Sequence, residues 1–238
     1  MKQIFCGILI IISTAAGQVN TEEIRHNSST PVSGLLRITF NMNGGNSDIL
    51  VLGMNSNLQI KSNRHLYIIA ADVDYITEEF GKSFGHLRYN FEIHPQRSYF
   101  EGFSQYQYDK STRLEHRVLF GSGIRYHIVS RVFTGVGLMQ EHEKLISAEN
   151  PTTVYRLTSY LTLSKTIGES VSLTGISYYQ PAIQEMSDYR FLVEASAGFS
   201  LFDQFKFELN ISCRYDNQPQ NDLKPFDYHI KNGLTYYF

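Results

Sequence analysis

Along Phe205-Lys-Phe-Glu-Leu-Asn-Ile-Ser-Cys-Arg-Tyr215 the odd positions are Phe205, Phe207, Leu209, Ile211, Cys213 and Tyr215. The even positions are Lys206, Glu208, Asn210, Ser212 and Arg214. Successive side chains of a strand point to opposite faces, so this alternation sets one face against apolar surroundings and the other against polar ones. The same period governs the C-terminus, where Tyr228, Ile230, Leu234, Tyr236 and Phe238 share one face and Asp227, His229, Lys231 and Thr235 the other. It recurs over 189–201, 155–163, 114–126 and 87–93. No heptad, long helical period or composition break marks a second domain. The pattern predicts twelve strands, near 35–43, 48–59, 65–76, 83–93, 98–108, 112–127, 131–142, 153–165, 169–180, 188–201, 204–215 and 226–238. The second, fifth, seventh and ninth alternate less cleanly, which leaves their facing open.

Connections after even strands are tight: 61–64, 94–96, 130, 167–168 and 202–203. Those after odd strands lengthen toward the C-terminus, reaching 143–152, 181–187 and 216–225. An even number of alternating strands with short turns at one end and long loops at the other predicts an all-β, closed antiparallel transmembrane barrel. Its long loops would face outside and both termini the periplasm. If Leu201 and Phe205 both face lipid, the turn between them must hold an odd number of residues. Tyrosines fit the same picture. Tyr75, Tyr108, Tyr155, Tyr179, Tyr189, Tyr215 and Tyr228 fall near long-loop ends; Tyr67, Phe199, Phe205, Tyr236 and Phe238 fall near short-turn ends. Aromatic residues favour the two headgroup regions. A soluble sandwich would bury the apolar face between sheets, and a lipocalin-like barrel would turn it inward.

Length and charge narrow the partners. The chain has 238 residues, a net charge of −2 and a mean hydropathy of −0.24. There is no basic field for nucleic acid and no series of apolar runs for a helical membrane protein. Met1–Gly17 reads as a secretory signal: Lys2, the apolar stretch Ile4–Ile12, then Ala15-Ala16-Gly17. Residues 18–33 would form a short periplasmic segment and 34–238 an outer-membrane barrel. Cys213 is then the single cysteine, so no internal disulfide can form.

The polar face becomes the enclosed one. It would carry Arg37, Arg88, Arg117, Arg125, Arg156, Arg190, Lys206, Arg214 and Lys231. The acidic groups would be Asp72, Asp74, Glu92, Glu101, Glu115, Glu194, Glu208 and Asp227. Interleaved signs pair across an interior rather than form the field of an ion-selective pore. A narrow small-solute channel or a structural envelope barrel is expected, with no catalytic residue, metal or cofactor; a lipid- or envelope-modifying barrel enzyme and an accessory subunit of a larger outer-membrane complex are the alternatives. Other chemistry is weaker. His116 and Ser122 share an outward face but lie too far apart for a nucleophile and its base; Ser104 is a cross-strand alternative. Glu141-His-Glu143 alternates in facing and cannot chelate one ion without a turn. Asp72 and Asp74 share a face, where lumenal arginine would pair with them. Gly121, Gly123, Gly135 and Gly137 lie in adjacent strands and would ease curvature.

Two stretches carry a resemblance. The terminal Gly233-Leu-Thr-Tyr-Tyr-Phe238 resembles the signal by which bacterial outer-membrane barrels are recognised for assembly, with Leu234, Tyr236 and Phe238 as its apolar positions. That resemblance implies outer-membrane lipid and the barrel-assembly machinery as partners. Phe40-Asn-Met-Asn-Gly-Gly-Asn-Ser-Asp48, Leu87-Arg-Tyr-Asn-Phe-Glu-Ile-His-Pro95, Phe100-Glu-Gly-Phe-Ser-Gln-Tyr-Gln-Tyr-Asp109 and Arg117-Val-Leu-Phe-Gly-Ser-Gly-Ile-Arg-Tyr126, with Gly137 and Glu141, resemble the salt-induced outer-membrane protein family (domain-of-unknown-function family 481). The resemblance implies an outer-membrane barrel and supplies no activity.

Overall fold

The computed structural model describes residues 30–43, 49–76, 79–110, 113–146, 148–168, 170–219 and 224–238. The expected signal segment 1–17, most of the expected periplasmic segment and the 44–48 turn lie outside the described residues. So does the side chain of Lys231.

Alternation produces strands at each of the twelve places it predicts. They are β1 (Val32–Asn43), β2 (Ile49–Ser62), β3 (His65–Ile76), β4 (Glu79–His94), β5 (Ser98–Asp109) and β6 (Leu114–Val129). The second half comprises β7 (Val132–Leu145), β8 (Thr152–Ile167), β9 (Val171–Pro181), β10 (Tyr189–Phe202), β11 (Phe205–Asp216) and β12 (Phe226–Tyr237). Each pairs antiparallel with its sequence neighbours, and β1 pairs with β12 to close the barrel. The short-turn end is built from backbone conformations suited to tight hairpins: φ is positive at Asn63 (51°), Gln96 (58°), Arg131 (69°) and Gly168 (59°). At the β10–β11 hairpin the two-residue turn Asp203–Gln204 is even, yet Leu201 and Phe205 keep the same face. The register shift between Ser200 and Phe202 restores the parity, leaving Phe202 opposite Phe205.

The outer wall is apolar. Leu87, Phe120, Ile124, Val136, Leu138, Leu161, Leu163 and Ile211 are all exposed on it. Tyr179, Tyr189 and Tyr215 form an aromatic row near the long-loop end, with ring centroids 5.6 and 6.1 Å apart. Phe205, Tyr236 and Phe238 form another at the short-turn end, at 5.1 and 6.3 Å. The buried charges Arg88, Arg117, Arg125 and Glu141 are inside. A lipocalin-like barrel has the opposite arrangement, and a closed barrel leaves no second sheet for a sandwich.

The glycines of β6 and β7 do more than ease curvature. Gly123 and Gly137 face each other across the ladder, and a Cβ on Gly137 would lie 2.4 Å from the Ser122 carbonyl oxygen. Gly135 and Gly121 seat aromatic rings: a Cβ there would meet Tyr160 and Phe103 respectively, each at 2.3 Å.

The closing seam is short. Register between β1 and β12 runs from Leu35↔Tyr237 to Ile38↔Leu234, with Gly34 and Phe238 exchanging backbone bonds of 3.0 and 3.1 Å below it. By contrast, β1–β2 is paired from Val32↔Ile60 to Asn43↔Ile49 and β11–β12 from Phe205↔Tyr236 to Tyr215↔Phe226. Strand edges outside a ladder are where a sheet opens first. In hydrogen–deuterium exchange on the folded protein, seam-facing amides of Thr39–Asn43 and Tyr228–Asn232 should exchange fastest among strand amides. Protection equal to that of β6–β7 would contradict this.

Candidate functional site

The enclosed face is filled, and Glu141 is the centre of its long-loop end. In β7 the inward positions are Gly135, Gly137, Met139, Glu141, Glu143 and Leu145, which places two carboxylates against the facing strands. Glu141 Oε1 takes Arg117 Nη2 at 2.5 Å and also Arg190 Nη1, while Oε2 takes Arg156 Nε at 2.8 Å. Glu143 Oε2 lies 3.6 Å from Arg117 Nε and 3.7 Å from Arg190 Nη2. Arg190 Nε reaches Asp216 at 2.7 Å, and Arg214 Nη2 reaches the same oxygen at 3.4 Å. Arg156 also grips Asp188 with both terminal nitrogens, at 3.0 and 3.1 Å, tying the β9–β10 loop into the cluster. Four arginines thus meet four carboxylates, contributed by β6, β7, β8, β10, β11 and one loop.

Their burial decides what the cluster does. Arg117 is 1% exposed, Glu141 2% and Arg156 2%. Charged groups on the wall of a water-filled pore stay hydrated; these are packed away from water, and the paired geometry is what makes that burial bearable.

A second layer lies toward mid-barrel. Arg88 Nη1 is 3.3 Å from Glu101 Oε2, which also accepts the Tyr160 hydroxyl. Arg88 lies over Phe103 at 5.3 Å and Arg125 over Phe133 at 3.9 Å. His86 stacks between Phe84 and Phe103 and meets Gln105 at 3.0 Å. Two inward apolar clusters fill the remaining space: Ile68, Ala70 and Phe84, and Tyr160, Ile176, Tyr178 and Leu192. Nearer the short-turn end Arg37 pairs with Glu208, which also accepts from Thr235 and from the Tyr237 hydroxyl. Below this the lumen widens into a cup of about 900 Å³, lined by residues including Ser33, Tyr99, Phe133, Thr174, Lys206 and Glu208.

Most charges expected on the enclosed face are there: Arg37, Asp72, Asp74, Arg88, Glu92, Glu101, Arg117, Arg125, Arg156, Arg190, Glu194, Lys206, Glu208 and Arg214. Asp227 shares their face, opposite Arg214. Glu92 sits at the short-turn mouth, where Oε1 accepts the Gln96 N–H at 2.6 Å. Asp72 pairs with Lys82 at 3.5 Å. Glu115 departs from the expectation. The bulge between Leu114 and His116 inserts it as an extra residue, and its carboxylate pairs at 2.9 Å with Lys144 on the outer wall. Lys82, His86, Asp109, Glu141, Glu143, Asp188, Asp216 and Tyr160 are among the lumenal groups that periodicity did not single out. Counting alternate residues back from Glu143 through β7 would have found the two glutamates.

The other candidates are separated. Glu141 and Glu143 face inward, whereas His142 faces outward and contacts Thr153 at 3.0 Å. His116 stacks on His142 at 5.9 Å. Ser122 lies opposite Leu138, and Ser104 opposite Phe120 and Leu87, so neither serine is placed beside that imidazole. Leu234 and Phe238 are exposed at the short-turn end, with Tyr236 packed between Phe205 and Phe238.

An apolar wall with aromatic rows at both ends, enclosing a charged interior, defines an outer-membrane-type β-barrel. Solved structures agree on that fold. The chain is similar to the NanC porin at 5% identity, covering 87% of this chain and 99% of that one, with a TM-score of 0.52. It is similar to the translocator domain of the autotransporter NalP from Neisseria meningitidis at 12% identity, covering 92% of each chain, with a TM-score of 0.50. No curated protein matches. The chain belongs to the family described as "Protein of unknown function, DUF481", whose model matches residues 37–238.

Proposed function

We propose that this protein is an outer-membrane barrel shut at rest, serving the envelope through its wall and rims rather than through an open lumen. The observation that carries the reading is the burial of Arg117, Glu141 and Arg156 in a charge-matched cluster across the long-loop end. The short-turn end, where the described chain begins and ends, faces the periplasm in this reading, and the C-terminal strand is what the assembly machinery engages. No step of catalysis is assigned to it.

Single-channel recording in a planar bilayer tests the reading. Correctly folded wild-type protein should be silent, while Glu141→Ala, which removes the group shared by three arginines, should give ion-conducting steps. Steady conductance by the wild type would overturn the closed lumen and make the protein a narrow small-solute channel. The ionic rather than wholly apolar plug gives that second reading its basis, since ion pairs can exchange for water as a gate opens. Voltage-dependent wild-type steps would favour it.

A further inference from the structure

The short-turn hairpins repeat one backbone device. The residue that ends each turn offers its carbonyl to the next even strand: Arg64 accepts from Glu92 N–H at 2.9 Å, Arg97 from His127 at 2.9 Å and Arg131 from Ser164 at 3.1 Å. Ser170 and Gln204 do the same, with Ser200 at 2.8 Å and Tyr237 at 2.9 Å. In the first three hairpins the residue at this equivalent position is arginine. Consecutive hairpins are two strands apart, so these positions recur about 10 Å apart along the rim.

All three side chains are exposed yet held in place. Arg64 lies over the outward-facing Phe91 ring at 4.9 Å and donates from Nε to the Glu92 carbonyl at 2.7 Å. Arg97 lies over outward-facing Tyr126 at 5.8 Å and donates from Nε to its hydroxyl at 2.9 Å. Arg131 instead lies on the inner side of the rim: it donates from Nη1 to Thr166 Oγ1 at 3.0 Å, and both residues line the lumenal cup. Exposed Lys61 adds a fourth cation to the same sector. Among the described residues none of the four is ion-paired. The sector's one described carboxylate, Glu92, is occupied by the Gln96 N–H. The near-neutral total charge therefore hides a basic rim, with Arg64 and Arg97 on its outer side where the aromatic wall meets the headgroup layer.

We propose that Arg64 and Arg97 form a docking arc for anionic phospholipid headgroups in the leaflet at the short-turn end. The chemistry is complementary at each point. A phosphate can accept from the terminal guanidinium nitrogens left uncommitted by the turn contacts, and the acyl chains lie down the apolar wall. Holding the guanidinium groups on rings and carbonyls in advance lowers the ordering needed on binding. The inference does not depend on whether the lumen conducts.

Native mass spectrometry of the full barrel, purified in mild detergent and given equal phosphatidylglycerol and phosphatidylcholine, tests the arc. Wild type should retain phosphatidylglycerol preferentially, on the order of tenfold. Arg64→Gln/Arg97→Gln should remove the preference while keeping the heat-modifiable mobility of a folded barrel. The corresponding double lysine variant should keep most of it, because charge at the headgroup layer is retained. Inorganic phosphate should displace the lipid no better than chloride of equal ionic strength; selective displacement would mean a free-anion site and overturn the lipid assignment. Equal retention of both lipids by wild type, or an undiminished preference in the glutamine variant, would overturn the arc itself.

Discussion

Glu141→Ala is expected to destabilise the barrel by about 3 to 5 kcal/mol, the range for breaking a buried ion pair by removing one partner. The size follows from the bonding. Arg117, Arg156 and Arg190 converge on this one carboxylate, and all three remain buried when it is lost. Glu143, Asp188 and Asp216 still neutralise part of the charge, which favours the lower end of the range. Urea unfolding in lipid vesicles, with mutant and wild type under identical conditions, measures the difference. A second substitution separates charge from packing. Glu141→Leu combined with Arg117→Leu removes both members of the most deeply buried pair and should recover part of the lost stability, because apolar replacements of buried ion pairs are often neutral or better. A loss under 1 kcal/mol for the single variant would mean that water reaches the cluster, and the sealed lumen would fail with it.

Gly135→Val should be nearly as damaging, by about 3 kcal/mol, combining overpacking with the loss of a buried hydrogen bond. A Cβ at this position would lie 2.3 Å from the Tyr160 ring. The ring cannot yield freely, since its hydroxyl is bonded to Glu101 and its face packs near Tyr178, 5.5 Å between centroids. Displacing it also takes one partner from the carboxylate that neutralises Arg88. Tyr160→Phe provides the comparison: it keeps the ring on its glycine seat and removes the hydroxyl alone, so its loss should be clearly smaller. Equal losses would assign the effect to the hydrogen bond rather than to the seat. A glycine that serves only curvature would tolerate valine with little change in the urea midpoint.

The two expectations treat the lumen as a packed interior with ions in it. That view accounts for the strands whose alternation was poorest. In β7 the inward face mixes Gly135, Gly137, Met139 and Leu145 with Glu141 and Glu143; in β9 it presents Ile176 and Tyr178 beside Gln180. A lumen wet throughout would have imposed polar residues at those positions and a cleaner period. The irregularity in the sequence is the trace of apolar filling, but period-two counting registers it only as noise.

The sequence by itself determined the number of strands, their order of pairing, the end that carries the long loops and the facing of most charges. These depend on a local rule: a strand between hydrocarbon and a polar interior must alternate, and a hairpin must join neighbours. Tertiary structure alone decided which charges meet. Arg190 and Glu141 meet from the unpaired strands β10 and β7, Asp188 arrives from a loop, and one inserted residue at the β6 bulge turned Glu115 from the lumen to the outer wall. Whether the interior is open was decided there too. Pore width depends on how side chains from opposite walls fill the space between them, and no property of a single strand records that distance.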